Sequence, residues 1–239
     1  MQVINTNVSA LFAGQALNKS NLALQTAMQR LSSGLRINTA KDDPTGLVTA
    51  TNYDSTVRGA NQAIRNANDG ISTAQTNDGY LGQVTENLQR LREIAVQNGG
   101  SAAGVEATAL VAENTRILGL ITAGGSVVVN SSGGTLAATG AAPTLAATAT
   151  GTVANFDTDL TAVTTARAGY GADMAKYQSA VNNLQIQSVN TSAAYSRVMD
   201  TDYATETTAM TRNQILQQAG TAMLAQANQV PNMVLTLLK

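Results

Sequence analysis

The stretch from Leu160 to Val198, LTAVTTARAGYGADMAKYQSAVNNLQIQSVNTSAAYSRV, decides the fold class. Along it recur Leu160, Val163, Arg167, Tyr170, Met174, Tyr177, Val181, Leu184, Ser188, Thr191, Tyr195 and Val198, at alternating steps of three and four. Such steps mark helices that pair along a seam. Nearly forty residues at 1.5 Å each predict one helix of about 60 Å.

Three further stripes share this spacing. The first is Leu17, Asn21, Leu24, Met28, Leu31 and Leu35, broken by Ser32-Ser33-Gly34 and the polar run Asn38 to Asp43. Asp43-Pro44 then reads as an N-cap followed by proline at the first helical position. The second stripe is Val57, Ala60, Ile64, Ala67, Ile71, Ala74, Asp78, Leu81, Thr85 and Leu88, ended by Gly99-Gly100. Asn68-Asp69-Gly70 and Asn77-Asp78-Gly79, turn-like in isolation, lie inside this stripe and are expected to be helical. The last stripe, after Asp200-Thr201-Asp202, is Leu216, Ala219, Met223, Gln226, Val230, Met233 and Leu237, with Pro231 inside it. Proline there removes one backbone hydrogen bond. The two terminal stripes can pair with each other or with those of other copies.

The middle, roughly 99–155, reads differently. A short helix is expected at about 105–121 on Leu110, Ile117, Leu118 and Ile121. Val127-Val128-Val129 followed by Asn130-Ser131-Ser132-Gly133-Gly134 fits a small β-hairpin or an irregular loop. The Ala/Thr/Gly tract from Leu136 to Val153 has low complexity and is expected to be a mobile surface segment.

Composition narrows function. The 239 residues include no Cys, His or Trp, which removes thiol nucleophiles, disulfides and the commonest general base and zinc ligand. Fourteen basic against fifteen acidic residues argue against nucleic acid, which is held by clustered Lys and Arg. No apolar run approaches the roughly 18 residues of a membrane span, and the uncharged opening Met1 to Asn7 is unlike a secretory signal peptide. Asp42-Asp43 and Asp200-Thr201-Asp202 lack the ligand count and spacing of a calcium loop. They are expected to be caps and polar linkers, with no cofactor, metal or catalytic residue. Aromatic residues are only 3% of the chain, so close packing of helices through small side chains is favoured over a wide globular core.

The sequence resembles bacterial flagellin. The resemblance is carried by Gln2-Val3-Ile4-Asn5-Thr6-Asn7, by Arg30-Leu31-Ser32-Ser33-Gly34-Leu35-Arg36-Ile37-Asn38 with Ala40-Lys41-Asp42-Asp43, and by Arg65-Asn66-Ala67-Asn68-Asp69-Gly70-Ile71-Ser72. Leu88 to Gln97, Asp202-Tyr203-Ala204-Thr205-Glu206, Gln214 to Gly220 and Leu224 to Pro231 complete it, over roughly 1–98 and 156–239. The chain departs from the family in lacking the outer globular domains, in Pro44-Thr45 and in the second-position residue. The resemblance implies a mainly α fold of long antiparallel helices. Residues 1–35 with 202–239 would form an inner coiled-coil domain, and 47–121 with 156–198 an outer helical-bundle rod. Linkers fall at 36–46 and 199–201, and a β-hairpin or irregular surface insert at 122–155.

The implied function is structural: self-assembly into a helical flagellar filament outside the cell, driving swimming. Export would be unfolded, by the flagellar type III route. The implied partners are copies of itself, the export apparatus and an export chaperone, and the filament cap and hook-junction proteins. Leu17, Leu24, Met28, Leu31, Leu35, Leu216, Met223, Val230, Met233 and Leu237 are the expected self-assembly residues. Gln89, Arg90, Leu91, Glu93, Ile94 and, one residue out of register, Glu113 match the surface read by a host's Toll-like flagellin receptor; subunit contact is the alternative role. A hook–filament junction protein shares the terminal-helix plan, but the match through Gln214 to Pro231 favours the filament subunit. A protease insert needs His-Glu-x-x-His, which a chain without His cannot supply.

Overall fold

A computed structural model describes residues 6–121, 126–146 and 148–237, with side chains as far as residue 229. The described residues form helices α1 (Val8–Ser33), α2 (Pro44–Gln97), α3 (Val105–Leu120), α4 (Val153–Met199) and α5 (Tyr203–Leu237). A hairpin of β1 (Val127–Val128) and β2 (Thr135–Leu136) lies between α3 and α4. The mainly α architecture with a small hairpin is as the sequence implied. Both Asn-Asp-Gly triplets are helical within α2, and α5 continues through Pro231.

The helix ends follow local chemistry. Asn7 caps α1 by accepting from the Ala10 N–H at 3.1 Å. Asp43 caps α2 by accepting from the Gly46 N–H at 2.8 Å, with Pro44 at the first helical position, as the sequence predicts. Asp202 caps α5, accepting from the Ala204 N–H at 2.9 Å and the Thr205 hydroxyl at 2.8 Å. The Thr205 hydroxyl and amide, then the Ala204 amide, hold this carboxyl below its ordinary pKa. Asp42 is held down in the same way, by the Thr39 amide first and then the Thr39 hydroxyl and Asn38 amide. α2 ends where Gly99 and Gly100, at φ +80° and +113°, turn the chain so that their amides return to the Val96 and Ala95 carbonyls. A side chain at either φ would be strained, which is why the glycine pair stops the helix.

Two compact units are present, residues Asp54–Ser192 and residues Met1–Tyr53 with Ala193–Lys239. In the first, α2 and α4 pack as small residues against large ones. Ala60 and Ala63 of α2 cluster with Leu184, and Ala67 clusters with Tyr177 and Val181. Further along, Ala74, Leu81, Val84, Leu88 and Leu91 meet Phe156, Val163 and Tyr170, with Ile117 and Ile121 of the α3 segment closing the cluster. Asp78 and Arg167, the charged members of their stripes, face each other at 2.8 Å. Inside this unit Asn87 donates to Asn114 at 2.8 Å, a buried amide pair linking α2 to α3.

The low-complexity tract after β2 departs from expectation. It has no regular structure, but it lies as a strap fixed to α4 by two buried carboxylates. Asp173, 1% exposed, accepts from the Thr139 amide and hydroxyl at 2.6 Å and from the Gly140 amide at 2.7 Å. Asp159, 2% exposed, accepts from the Ala146 amide at 2.9 Å. Burial pushes the Asp173 carboxyl up, but the Gly140 and Thr139 amides, the Thr139 hydroxyl and Lys176 more than offset it. The carboxyl is held below its ordinary value. The strap crosses α4 at a close approach. A Cβ on Gly140 would stand 2.3 Å from the Tyr170 ring, and one on Gly169 would stand 3.2 Å from the Gly140 Cα. The strap's far end is tied by the Ala102 amide to the Gly151 carbonyl at 2.9 Å.

Candidate assembly surface

In the second unit α1 packs against α5. On α1, Leu17, Leu24 and Leu31 of the expected stripe are partly buried, and Ala27, outside that stripe, is buried. Met28 is not in the seam, being 46% exposed. Leu35 packs instead with Ile37, Ala50 and Met199. The residues following α1 and α4 join there: Leu35 bridges Asp200, and the Arg36 guanidinium donates to the Val198 carbonyl at 2.7 Å.

On α5 the face turned to α1 is not the expected stripe. The covered positions include Gln217, Gly220, Leu224 and Ala227, each one residue past the Leu216–Ala219–Met223–Gln226 line, with Met210 and Asn213 one heptad before Gln217 and Gly220. Three contacts set the register. A Cβ on Gly220 would lie 3.2 Å from Leu17 Cδ1, the Asn7 amide donates to the Ala227 carbonyl at 2.8 Å, and Arg30 approaches Glu206 at 3.8 Å. One residue is 100° around a helix, so the expected line is swung to the flank of the pair. Leu216 is 47% and Met223 64% exposed. Val230, Met233 and Leu237 lie in α5, but their side chains are outside the described residues.

The displaced line borders an open groove of about 740 Å³. Its walls are Val8, Phe12, Ala16 and Leu17 on α1 and Leu216, Ala219, Met223 and Gln226 on α5, with Ser9 and Ser20 among the remaining lining. Val8 and Phe12 are as exposed as Met223. Charge is nearly absent: Lys19 is the one charged residue before Arg30, and none occurs from Asn213 to Leu238. The opposite flank of α5 carries Gln214, Gln218 and Thr221, all exposed. An exposed apolar face with almost no charge marks a contact surface, since water solvates neither its side chains nor any ion on it.

The receptor-matching residues fall into two sets. Leu91 and Ile94 are buried in the α2–α3–α4 cluster. Gln89, Arg90 and Glu93 are exposed, and Arg90 is held by Glu106 at 2.8 Å and Glu93 at 3.1 Å. Glu113, on α3, pairs with Arg116 at 2.7 Å, which holds its carboxyl below the ordinary value. Among the described residues no group of three or more acidic side chains is placed to hold a metal ion. The paired aspartates of the sequence serve as caps and loop anchors. No described helix is long and apolar enough to cross a membrane.

The sequence missed the α5 seam and the two strap anchors. Each had a signal. Asn213, Gly220 and Ala227 are seven apart, and so are Met210, Gln217 and Leu224. Asp159 and Asp173, fourteen apart, occupy the same heptad position of α4 as Ala166.

Among the described residues the groove is thus apolar, open and close to charge-free. Known proteins resemble this chain along its whole length. The bacterial flagellin N-terminal helical region matches residues 4–122, and the bacterial flagellin C-terminal helical region matches residues 153–238. The flagellar filament 31.3 kDa core protein of Treponema maltophilum is 36% identical over 289 residues, covering 99% of this chain and 100% of the relative. A flagellin of Xenorhabdus nematophila is 36% identical over 310 residues, with 99% of each chain covered. A flagellin of Salmonella typhimurium is 56% identical over 100 residues, 42% of this chain and 20% of the relative. The chain belongs to the bacterial flagellin family.

Proposed function

We propose that this chain is a structural subunit that polymerises with copies of itself into a bacterial flagellar filament for swimming, and that it is not an enzyme. The observation that carries this is the charge-poor α1–α5 pair, whose apolar groove runs open along one flank. Leu17, Leu24 and Leu31 hold the pair together, and Phe12, Leu216 and Met223 make contact with neighbouring copies. Residues 1–35 and 202–239 thereby form the inner part of the filament wall, and 47–121 with 156–198 the part outside it. Contacts that repeat head to tail without closing generate an open helix.

Negative-stain electron microscopy of the purified chain in sulfate, which strengthens apolar burial, tests this. Long uniform filaments are expected from the intact chain and none from a chain lacking residues 1–35 and 202–239. Short oligomers alone, even after seeding, would instead favour a hook–filament junction protein.

The subunit leaves the cell by the flagellar type III route, handled unfolded by the export apparatus and a chaperone, and meets the cap and hook-junction proteins at the filament's ends. The absence of Cys and the 12% charge content suit passage as an unfolded chain. A host Toll-like flagellin receptor reads the exposed Gln89, Arg90, Glu93 and Glu113 of the free subunit, with Leu91 and Ile94 supporting that surface from beneath. Arg90→Ala is expected to cut receptor signalling at least tenfold in a reporter-cell assay while leaving filaments intact. Undiminished signalling would sink the receptor reading alone.

A further inference from the structure

We propose that Met223 is a peroxide-sensitive control point of assembly: its thioether is oxidised to the sulfoxide in the free subunit, and the oxidised subunit is then excluded from the polymer. This rests on the assembly reading above. Met199 is buried, and Met174 and Met210 are partly covered, whereas Met28 and Met223 are exposed at 46% and 64%. Of these two, only Met223 lines the groove. With no Cys in the chain, no thiolate competes for the oxidant.

The step is a two-electron oxygen transfer. The Met223 sulfur attacks one oxygen of hydrogen peroxide, the O–O bond breaks and an S–O bond forms. Sulfur is oxidised, and the departing hydroxide takes up the peroxide's remaining proton to leave as water. The product is a polar hydrogen-bond acceptor in a groove most of whose lining, Phe12, Ala16, Leu216 and Ala219 included, carries no side-chain donor. Ser9, Ser20 and Gln226 are the polar exceptions in the lining, and the Ser20 hydroxyl already donates to the Ala16 carbonyl at 3.1 Å. Burying an unsatisfied acceptor at each subunit contact raises the critical concentration by about tenfold to a hundredfold. Once the groove is covered by a neighbour, the sulfur is shielded, so assembly state and oxidation exclude each other.

The test treats the full-length subunit with hydrogen peroxide and follows the gain of about 16 Da at Met223, placed by fragmentation of the peptide Asn213–Lys239, which also holds Met233. Sulfate-induced polymer is then measured by sedimentation. Oxidised wild type and Met28→Leu are expected to need at least tenfold more protein to form filaments, whereas Met223→Leu, which keeps an apolar side chain without the sulfur, stays unaffected. Methionine sulfoxide reductase should restore the wild type. Met223 sulfoxide should be enriched in the supernatant over the pellet, a readout that stands even if Met223→Leu assembles poorly by itself. Oxidised wild type that polymerises at the untreated concentration would overturn the proposal alone. Untreated wild type that never polymerises would overturn the assembly reading and the proposal with it.

Discussion

An aspartate in place of Met223 or Leu216 is expected to abolish filament growth while leaving the subunit folded. The two side chains are 64% and 47% exposed in the single chain, so a carboxylate there stays in water and helicity by circular dichroism should be unchanged. In the polymer the same carboxylate would enter an apolar contact poor in charge, because Lys19 is the one charged residue before Arg30 and none occurs from Asn213 to Leu238. A penalty of even about 3 kcal/mol raises the critical concentration by more than about a hundredfold. Gln218→Glu, on the polar flank of α5, is expected to change assembly by less than threefold. Leu24→Ala should act differently, loosening α1 from α5 within one chain and lowering helicity before assembly begins. Sedimentation of Met223→Asp at the wild-type concentration would refute the groove as the contact surface.

The second large effect concerns the strap. Asp173→Ala removes the acceptor of the Thr139 and Gly140 amides and leaves the Gly140 donor without it in a buried place and the Thr139 donor in a part-buried one. The expected loss is about 3 kcal/mol, or about 10 °C in Tm. Asp173→Asn, which keeps one oxygen acceptor, should fall between. The pH dependence has a definite sign. Asp173 is held below its ordinary pKa in the folded chain, so its contribution is complete above the unfolded carboxyl value of about 4. It is lost as pH falls through the lower folded value. Thermal melts between pH 2 and 6 should therefore show wild type losing more stability on acidification than Asp173→Ala, with the two curves converging in acid. Parallel curves would mean that Asp173 does not anchor the strap.

Much of this was legible locally. Asp43-Pro44 announced the start of α2 because a cap needs only its own side chain and an amide three residues on. Gly99-Gly100 announced its end for an equally local reason. The hairpin was one of two readings of Val127-Val128-Val129 and the Asn130 turn, and the stripes of α2 and α4 named the residues that pack, Asp78 and Arg167 among them, but not which meets which. The strap was not. Its bonds to Asp173 and Asp159 join residues 34 and 13 apart, and a tract of Ala, Thr and Gly has no periodicity from which to infer a path. On the α2 surface, Leu91 and Ile94 matched a family motif that mixes exposed with buried residues, and only the packed cluster separates them from Gln89, Arg90 and Glu93.

The sequence by itself determined which segments are helices, where they stop and that the terminal pair carries almost no charge. Those properties follow from propensity, capping and a 3.6-residue period, each of which acts within a few residues. Tertiary structure alone decided which line of α5 meets α1. Two lines one residue apart lie 100° apart on the same helix, and local pattern weighs the bulkier Leu216–Met223 line above the line through Gly220 and Ala227, which includes Asn213 and Gln217. Close approach of α1, with Leu17 seated on Gly220, selects the second line. The bulkier line is thereby left on the flank, where it remains available to another copy.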